Sequence, residues 1–320
     1  MTNLCLNLHT KHCSDKPLQA VTERMERELR RDIGGIQQGR VLLFNCISRL
    51  IFKASLAGIL NEHAAQDESL FKIFMEFDNA LPLVIAGLPT VFLPTLPTVR
   101  EHLVAAVERH QDNNCELFEK RWAYFRQLTQ ENKLKAREGA MGQLAILWAS
   151  VSNTMPGTFW TVFHLLRHPV YLAKLIAEVQ SLWPAFQQAG AELDLPYDSL
   201  QQMVFLDACI TETLRLVSGS LIMRHVNHNC SVTFPSGKTV KFRKGDQLGI
   251  CPPVLHRDEE VYSNASAYIP DRWMLPQCDP KTGLEYSIAE RNNAAQGKVR
   301  LFKQGKEIPR LATVLSVLAC

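Results

Sequence analysis

The most strongly apolar stretch of the chain covers residues 141–168 and has apolar side chains on nearly every side of a helix. A helix that is apolar all round is buried in a large domain or in a bilayer. Polar residues, Pro156 and Gly157 interrupt the stretch, which is unusual in segments that span lipid. The pattern therefore predicts a helix buried within protein, with a bend where Pro156 leaves the carbonyl of Ser152 without its helical partner.

The predicted bend has two interpretations. A free carbonyl, an amide and several hydroxyls in an apolar surrounding could hold water, dioxygen or a polar group of a ligand. Alternatively, the segment is a kinked core helix whose serine and threonine hydroxyls bond back to the backbone. The pattern alone leaves both interpretations open.

Helical spacing of apolar residues recurs before and after this stretch. The predicted helices cover residues 17–32, 41–60, 99–135, 170–182 and 198–217. Between them, residues 81–97 are rich in proline and in apolar side chains. This segment is predicted to be irregular, and it either lines a cavity or meets a membrane surface.

From Leu221 onward the pattern changes to a period of two, which is typical of strands. Alternating apolar residues flank a turn at 235–238 and predict a hairpin, and residues 247–251 add a short strand. Residues 275–298 are predicted to be loop. The expected fold class is mainly α with a small β-sheet, formed by residues 1–320 as a single domain.

Composition narrows the classes of function. Of the 320 residues, 46% are hydrophobic and 21% are charged, which is typical of a globular protein. The net charge of +3 comes from basic residues spread along the chain, so no nucleic-acid partner is expected. The nine cysteines lack zinc-type spacing and fit reduced thiols in a cytosol-facing protein. No apolar stretch of signal-peptide or anchor length opens the chain, so we expect a soluble or peripherally attached protein.

Glu212 and Arg215 form the most informative charged pair. They are spaced i,i+3 in a helix whose other residues are mostly apolar, and a second guanidinium, Arg272, occurs in a Pro-Asp-Arg-Trp turn. Such a pair is usually exposed and contributes little to stability. Here the apolar neighbours predict burial, where a carboxylate shared by two arginines costs several kcal/mol to disrupt, on the order of 3–5.

The order of these motifs resembles the cytochromes P450. Glu-x-x-Arg at 212–215 is followed by His-Arg-Asp at 256–258 and by Pro-x-Arg-Trp at 270–273. The pattern Trp-Ala-Ser-x-x-Asn-Thr-x-Pro-x-x-Phe-Trp at 148–160 is similar to that of the sterol hydroxylase and prostacyclin synthase group. Segments at 77–79, 86–89 and 243–246 resemble the cholesterol and oxysterol 7α-hydroxylases. The resemblance extends from about residue 20 to residue 306.

The resemblance implies a role for each matched position. Glu212, Arg215 and Arg272 would form the structural triad of the fold, and Arg224 would pair with a haem propionate. Asn153 and Thr154 would be the catalytic pair. A neutral amide can orient water or bond a sterol hydroxyl but cannot supply a proton, so delivery would rely on Thr154 and ordered water. The implied substrate contacts are Trp148, Val151, Met155, Leu221 and Ile222.

The resemblance also implies a function. It is that of a haem-thiolate monooxygenase that hydroxylates cholesterol or oxysterols, with electrons from NADPH-cytochrome P450 reductase. The implied location is the cytosolic face of the endoplasmic reticulum membrane. The alternative is a non-catalytic product that binds an apolar ligand or none; an unrelated all-α interaction protein is disfavoured by the ordered motifs.

One family motif is missing from the sequence. The family binds haem iron through the cysteine of a Phe-x-x-Gly-x-x-x-Cys-x-Gly loop. None of the nine cysteines has glycine four positions before it, and Cys320 is a poor candidate because its approach contains no glycine. We therefore expect an incomplete P450-type fold without the N-terminal anchor, the first sheet and the haem-thiolate region. The expected product is a partial or inactive form that does not retain haem.

A shifted reading frame is one hypothesis for the tail. With suitable codons for residues 315–320, reading one base earlier gives Phe-Gly-Ala-Gly-Val, the opening of the expected loop, and the coding nucleotides test this. His164 and His168 have i,i+4 spacing that can suit a metal ion. Because no acidic third ligand is near them in sequence, no metal site is expected there.

Overall fold

The computed structural model describes residues 15–36, 39–110, 116–182, 202–219, 221–234, 237–274, 277–278 and 285–286. In these ranges the chain is mainly helical with short antiparallel strand pairs, which confirms the predicted fold class. It divides into two compact units between Phe159 and Trp160, and each unit is described by itself. Among the helices described, none is both long and apolar enough to cross a bilayer.

The first unit is helical. Its helices are α1 (Asp15–Gly34), α2 (Leu43–Ile59), α3 (Glu62–Ala65), α4 (Glu68–Ile85), α5 (Leu96–Arg109), α6 (Glu116–Gln130), α7 (Ala136–Val151) and the start of α8 (Thr154–Arg167). A short 3₁₀ turn, Thr90–Phe92, lies between α4 and α5. The predicted helices at 17–32 and 41–60 correspond to α1 and α2.

The core of the first unit forms where α2, α4, α5, α6 and α7 turn their apolar faces toward one another. Phe52 and Phe74 are almost completely buried, and their ring centroids are 4.9 Å apart. Gly58 lets α1 approach α2 closely, since a Cβ there would lie 2.6 Å from Cγ of Met25. Lys53 joins the same two helices through an ion pair of 2.8 Å with Asp32.

Two predictions for the first unit are wrong. Residues 81–85 are helical, because α4 continues to Ile85 with Pro82 in its last turn. Proline removes the hydrogen bond to the carbonyl four residues earlier and crowds that carbonyl, and α4 ends within the same turn. The single helix predicted over 99–135 is two helices, with α5 ending at Arg109 and α6 beginning at Glu116.

The second unit combines helices with three strand pairs. Its helices after α8 are α9 (Pro169–Leu182), α10 (Val204–Val217) and α11 (Pro252–His256), followed by a 3₁₀ turn, Pro270–Trp273. The strands are β1 (Ile222–His225), β2 (Cys230–Thr233), β3 (Thr239–Phe242), β4 (Gln247–Ile250), β5 (Gln277–Cys278) and β6 (Glu285–Tyr286). All three pairs are antiparallel: β1 with β4, β2 with β3, and β5 with β6.

The hairpin predicted around 235–238 is the β2–β3 pair, in which Val232 lies opposite Val240. The loop predicted over 275–298 is wrong at β5 and β6. The start predicted for α10, at residues 198–199, lies outside the described residues. Within them, the Glu178 carboxylate of α9 accepts from the amides of Phe205 and Leu206, at 2.7 and 3.0 Å, and so satisfies the first turn of α10.

Candidate functional site

The carboxylate of Glu212 lies at the centre of the second unit and is completely buried. Arg215 donates two hydrogen bonds to it, both of 2.8 Å, from Nε and Nη2. Arg272 donates a third from Nε at 3.1 Å. The structure therefore brings together the three side chains of the expected triad, although Arg272 is separated from Glu212 by 60 positions in sequence.

Further donors complete the shell of the carboxylate. The backbone N–H of Ile269 donates to Oε1 at 2.9 Å, and the indole Nε1 of Trp273 donates to Oε2 at 2.9 Å. The sequence analysis missed Trp273 as a donor, although it lies next to Arg272 in the same turn. A buried carboxylate whose lone pairs are all used is stabilised against the cost of desolvation.

The two arginines connect this carboxylate to the surrounding loops. Arg215 also donates to the carbonyls of His256, Ala265 and Ala267. Arg272 donates to the carbonyls of Ser263 and Asn264. The helix α10 is thereby joined to residues 256–272, a segment with little regular structure of its own.

Hydrogen bonds and the nearby arginine keep the carboxylate of Glu212 charged although it is buried. Burial would raise the pKa of Glu212, but hydrogen bonds from Arg215, the Ile269 amide and Trp273 outweigh burial and hold the pKa below its ordinary value. The ring of Tyr262 lies 5.0 Å from Cζ of Arg215 and 5.9 Å from Cζ of Arg272. This aromatic face adds a favourable surrounding for both cations.

The long apolar helix predicted over 141–168 is interrupted. The first half, α7, ends at Val151 and the second half, α8, begins at Thr154, so Ser152 and Asn153 form a turn between them. Pro156 lies in the first turn of α8, where its missing N–H costs nothing. Asn153 and Thr154, the expected catalytic pair, are both exposed at this turn.

The hydroxyls near the turn bond back to the backbone. Ser150 donates to the carbonyl of Ile146 at 2.9 Å, and Thr154 donates to the carbonyl of Ser150 at 2.7 Å. For these two side chains, the structure agrees with the interpretation in which the hydroxyls of a core helix bond back to its backbone. The oxygen of Thr154 keeps its capacity to accept a hydrogen bond.

The expected substrate contacts on the central helix fall on different faces. Val151 and Met155 are 0% and 1% exposed and belong to the core of the first unit. Their placement does not support a role as ligand contacts, because the spacing of Val151 from Leu147 puts it on the core face of α7. Trp148 is half-buried, and its indole Nε1 donates to Oδ1 of Asp78 at 2.7 Å.

Strand β1 carries the expected partners of haem and substrate. All four of its residues are exposed, and Leu221 and Ile222 are 59% and 39% exposed. The guanidinium of Arg224 donates to the carbonyl of Met223 at 2.9 Å. An exposed arginine beside apolar side chains suits a propionate and the edge of a porphyrin, so this strand fits the haem that the resemblance implies.

The described cysteines do not complete that fit. Cys46, Cys209, Cys230 and Cys251 form no disulfide, and burial raises the pKa of the Cys209 thiol to about 11. A thiol with a raised pKa is a poor source of the thiolate that iron needs. Cys320 and the tail of the shifted-frame hypothesis lie outside the described residues. The chain thus offers a propionate partner, while none of its nine cysteines has the glycine spacing of the haem loop.

His164 of α8 and His168, which follows that helix, make aromatic contacts. The ring of His164 stacks on Tyr268 with a centroid distance of 4.5 Å, and burial lowers the pKa of His164. Nδ1 of His168 lies 2.7 Å from the carbonyl of His164. Within the ranges described, no group of three or more His, Cys, Asp and Glu side chains is arranged to hold a metal ion.

Comparisons with known proteins identify the family of the chain. The family model for cytochrome P450 matches residues 40–286. Cytochrome P450 7A1 of Oryctolagus cuniculus is 34% identical over 217 residues, which cover 65% of this chain and 42% of that protein. Cholesterol 7-alpha-monooxygenase of Cricetulus griseus is 31% identical over 220 residues, with the same two shares. The chain thus spans less than half the length of these relatives.

Other relatives and solved structures extend the comparison. The 25-hydroxycholesterol 7-alpha-hydroxylase of Rattus norvegicus is 25% identical over 244 residues, which cover 72% of this chain and 58% of that protein. Retinoic acid bound cyanobacterial CYP120A1 has the same fold, with a TM-score of 0.67 at 16% identity, over 97% of this chain and 68% of that chain. The chain therefore belongs to the cytochrome P450 family, in the sterol branch that contains the 7α-hydroxylases.

Proposed function

We propose that the chain is part of a haem-dependent monooxygenase of the sterol 7α-hydroxylase type, acting on cholesterol or an oxysterol. The observation that carries the proposal is the buried Glu212 carboxylate held by Arg215 and Arg272, in the motif order of the family. The similarity to a cholesterol 7-alpha-monooxygenase and to a 25-hydroxycholesterol 7-alpha-hydroxylase supports the substrate class. NADPH-cytochrome P450 reductase is the proposed electron donor.

In this proposal the described residues would hold the haem, keep the supporting loops in place and contact the substrate. When bound, haem supplies the activation of oxygen. Arg224 would hold a propionate, and the network around Glu212 would keep the supporting loops in place. Trp148, Leu221 and Ile222 would contact the sterol rings. Asn153 would orient a water molecule or bond a sterol hydroxyl, and the oxygen of Thr154 would accept a hydrogen bond from that water.

The 320 residues by themselves are proposed to be a non-catalytic form that binds an apolar ligand. This second proposal rests on the cysteines, since none of the nine has the glycine spacing of the haem loop. Because the fit to haem is partial, no reaction step through the iron is derived from this chain.

A membrane surface at the cytosolic face of the endoplasmic reticulum is the proposed location. The end of α4 and the segment that follows it expose several large apolar side chains: Ile85 is 71% exposed, Val91 77% and Phe92 68%. A contiguous group of exposed apolar residues is typical of a membrane or partner contact. Of the two alternatives for this segment, cavity lining or membrane contact, the exposure favours the membrane.

Haem titration tests the proposed role of Arg224. Replacing Arg224 with glutamine removes the cationic donor to a propionate, so we expect haem affinity to fall roughly tenfold, equivalent to about 1.4 kcal/mol. Arg243→Gln changes an exposed arginine after β3 and serves as the matched control, with affinity unchanged. Equal affinity in both variants would refute the role of Arg224.

The ferrous–CO spectrum of the same samples separates the two proposed forms. For the 320-residue chain we expect no absorbance band of the thiolate-ligated type. A thiolate-type band at full haem occupancy would contradict the non-catalytic form and support a catalytic chain.

A further inference from the structure

A side-chain hydrogen bond connects helices α4 and α7 of the first unit. The indole Nε1 of Trp148, in α7, donates to Oδ1 of Asp78, in α4, at 2.7 Å. The two residues are 70 positions apart in sequence, and both side chains are half-buried. A short bond between side chains so distant in sequence defines where the two helices meet.

The position of Trp148 on its helix gives this bond its importance. Leu144, Leu147 and Val151 form the buried face of α7, and Met141, Ala145 and Ala149 form an exposed stripe along it. At 3.6 residues per turn, Trp148 lies between that face and that stripe. The orientation of its large ring therefore determines the shape of one margin of the exposed stripe.

The chemistry of the pair fixes that orientation. An indole N–H can only donate and an ionised carboxylate can only accept, so neither group can replace the other's role. Burial raises the pKa of Asp78, and the hydrogen bond from Trp148 opposes this effect. Hydrogen bonds to a charged acceptor are roughly twice as strong as neutral ones, so the pair resists rotation of the ring.

We propose that Asp78 is a positioning residue, which holds the indole of Trp148 in the orientation that a sterol ligand requires at the margin of the exposed stripe. The inference rests on the proposed function, in which Trp148 contacts the sterol. Asp78 acts through Trp148 and has no assigned contact with the ligand. Asp78 would thus be a polar determinant of ligand binding in α4, and the resemblance to the family assigns it no role.

Equilibrium binding of radiolabelled cholesterol to the full chain tests this inference. Asp78→Ala removes the acceptor, and affinity should fall roughly tenfold, which corresponds to loss of one hydrogen bond to a charged group. Asp78→Asn keeps a carbonyl oxygen as acceptor and should stay within about threefold of the wild type. Glu76→Ala, an exposed acid on the same helix, is the matched control and should bind as the wild type.

A double variant separates positioning from a general loss of stability. Trp148→Phe removes the donor and should also weaken cholesterol binding. If Asp78 acts through Trp148, adding Asp78→Ala to Trp148→Phe should cause no further loss, whereas two independent roles would give additive losses. Additive losses, or a failure of Asp78→Asn to restore affinity, would overturn the inference.

The outcomes also distinguish the inference from the proposed function. If the wild-type chain binds cholesterol and Asp78→Ala binds it equally well, the inference alone is wrong. If the wild-type chain does not bind cholesterol, the cholesterol part of the proposed function is wrong and the inference falls with it. Should Asp78→Ala not unfold cooperatively, Asp78→Glu takes its place, since the longer side chain displaces the indole. Weaker binding is again expected, and wild-type affinity contradicts the inference.

Discussion

Replacing Glu212 with alanine is expected to lower the free energy of unfolding by about 3–5 kcal/mol. The carboxylate is completely buried, and the side chains of Arg215 and Arg272 are only 2% and 12% exposed. Removing the carboxylate leaves two guanidiniums desolvated without their anion. The indole of Trp273 and the amide of Ile269 also lose their acceptor. Denaturant unfolding followed by circular dichroism measures this loss.

An exposed ion pair provides the matched control for this variant. Glu68 pairs with Arg49, and their side chains are 54% and 52% exposed. Exposed pairs contribute about 0–1 kcal/mol, so Glu68→Ala should have only a small effect. If Glu212→Ala costs no more than Glu68→Ala, the Glu212 carboxylate does not hold the second unit together.

The second large effect is expected in the core of the first unit. Phe74 is 0% exposed and its ring contacts that of Phe52, so Phe74→Ala should lower the free energy of unfolding by about 3–5 kcal/mol. The loss combines the transfer of the ring with the cavity that it leaves. The same denaturant experiment measures it.

Phe92→Ala is the control, because the same substitution is made at a side chain that is 68% exposed. A change within about 0.5 kcal/mol is expected there. Similar losses in the two variants would show that the first unit lacks the packed core described above.

The elements that the sequence predicted well are those with a clear period. Helices α1, α2 and α9 and the β2–β3 hairpin each have a regular spacing of apolar residues or a turn signal at the right place. The end of α5 at Arg109 was missed, because polar residues continue past it with no proline or glycine to mark a break. The proline at position 82 was taken as a sign of irregular structure, although α4 contains it and continues to Ile85.

The candidate site also contains some residues that the sequence predicted and others that it did not. Spacing alone indicated the Glu212–Arg215 pair, because i,i+3 residues share a helix face. Arg272 came from the family motif order and Trp273 was missed, because contacts between residues 60 positions apart have no local signal. On α7, apolar side chains surround the whole helix, so periodicity could not tell that Val151 lies in the core and Trp148 at its edge.

The contact between Glu212 and Arg272 joins α10 to a distant turn, and the proposed function depends most on this contact. A double-mutant cycle with Glu212→Ala, Arg272→Ala and the double variant measures that coupling in the free energy of unfolding. The predicted result is a coupling energy of about 1.5–3 kcal/mol, as expected for two groups in one buried network. Additive losses within about 0.5 kcal/mol would contradict the buried carboxylate core and the function proposed from it.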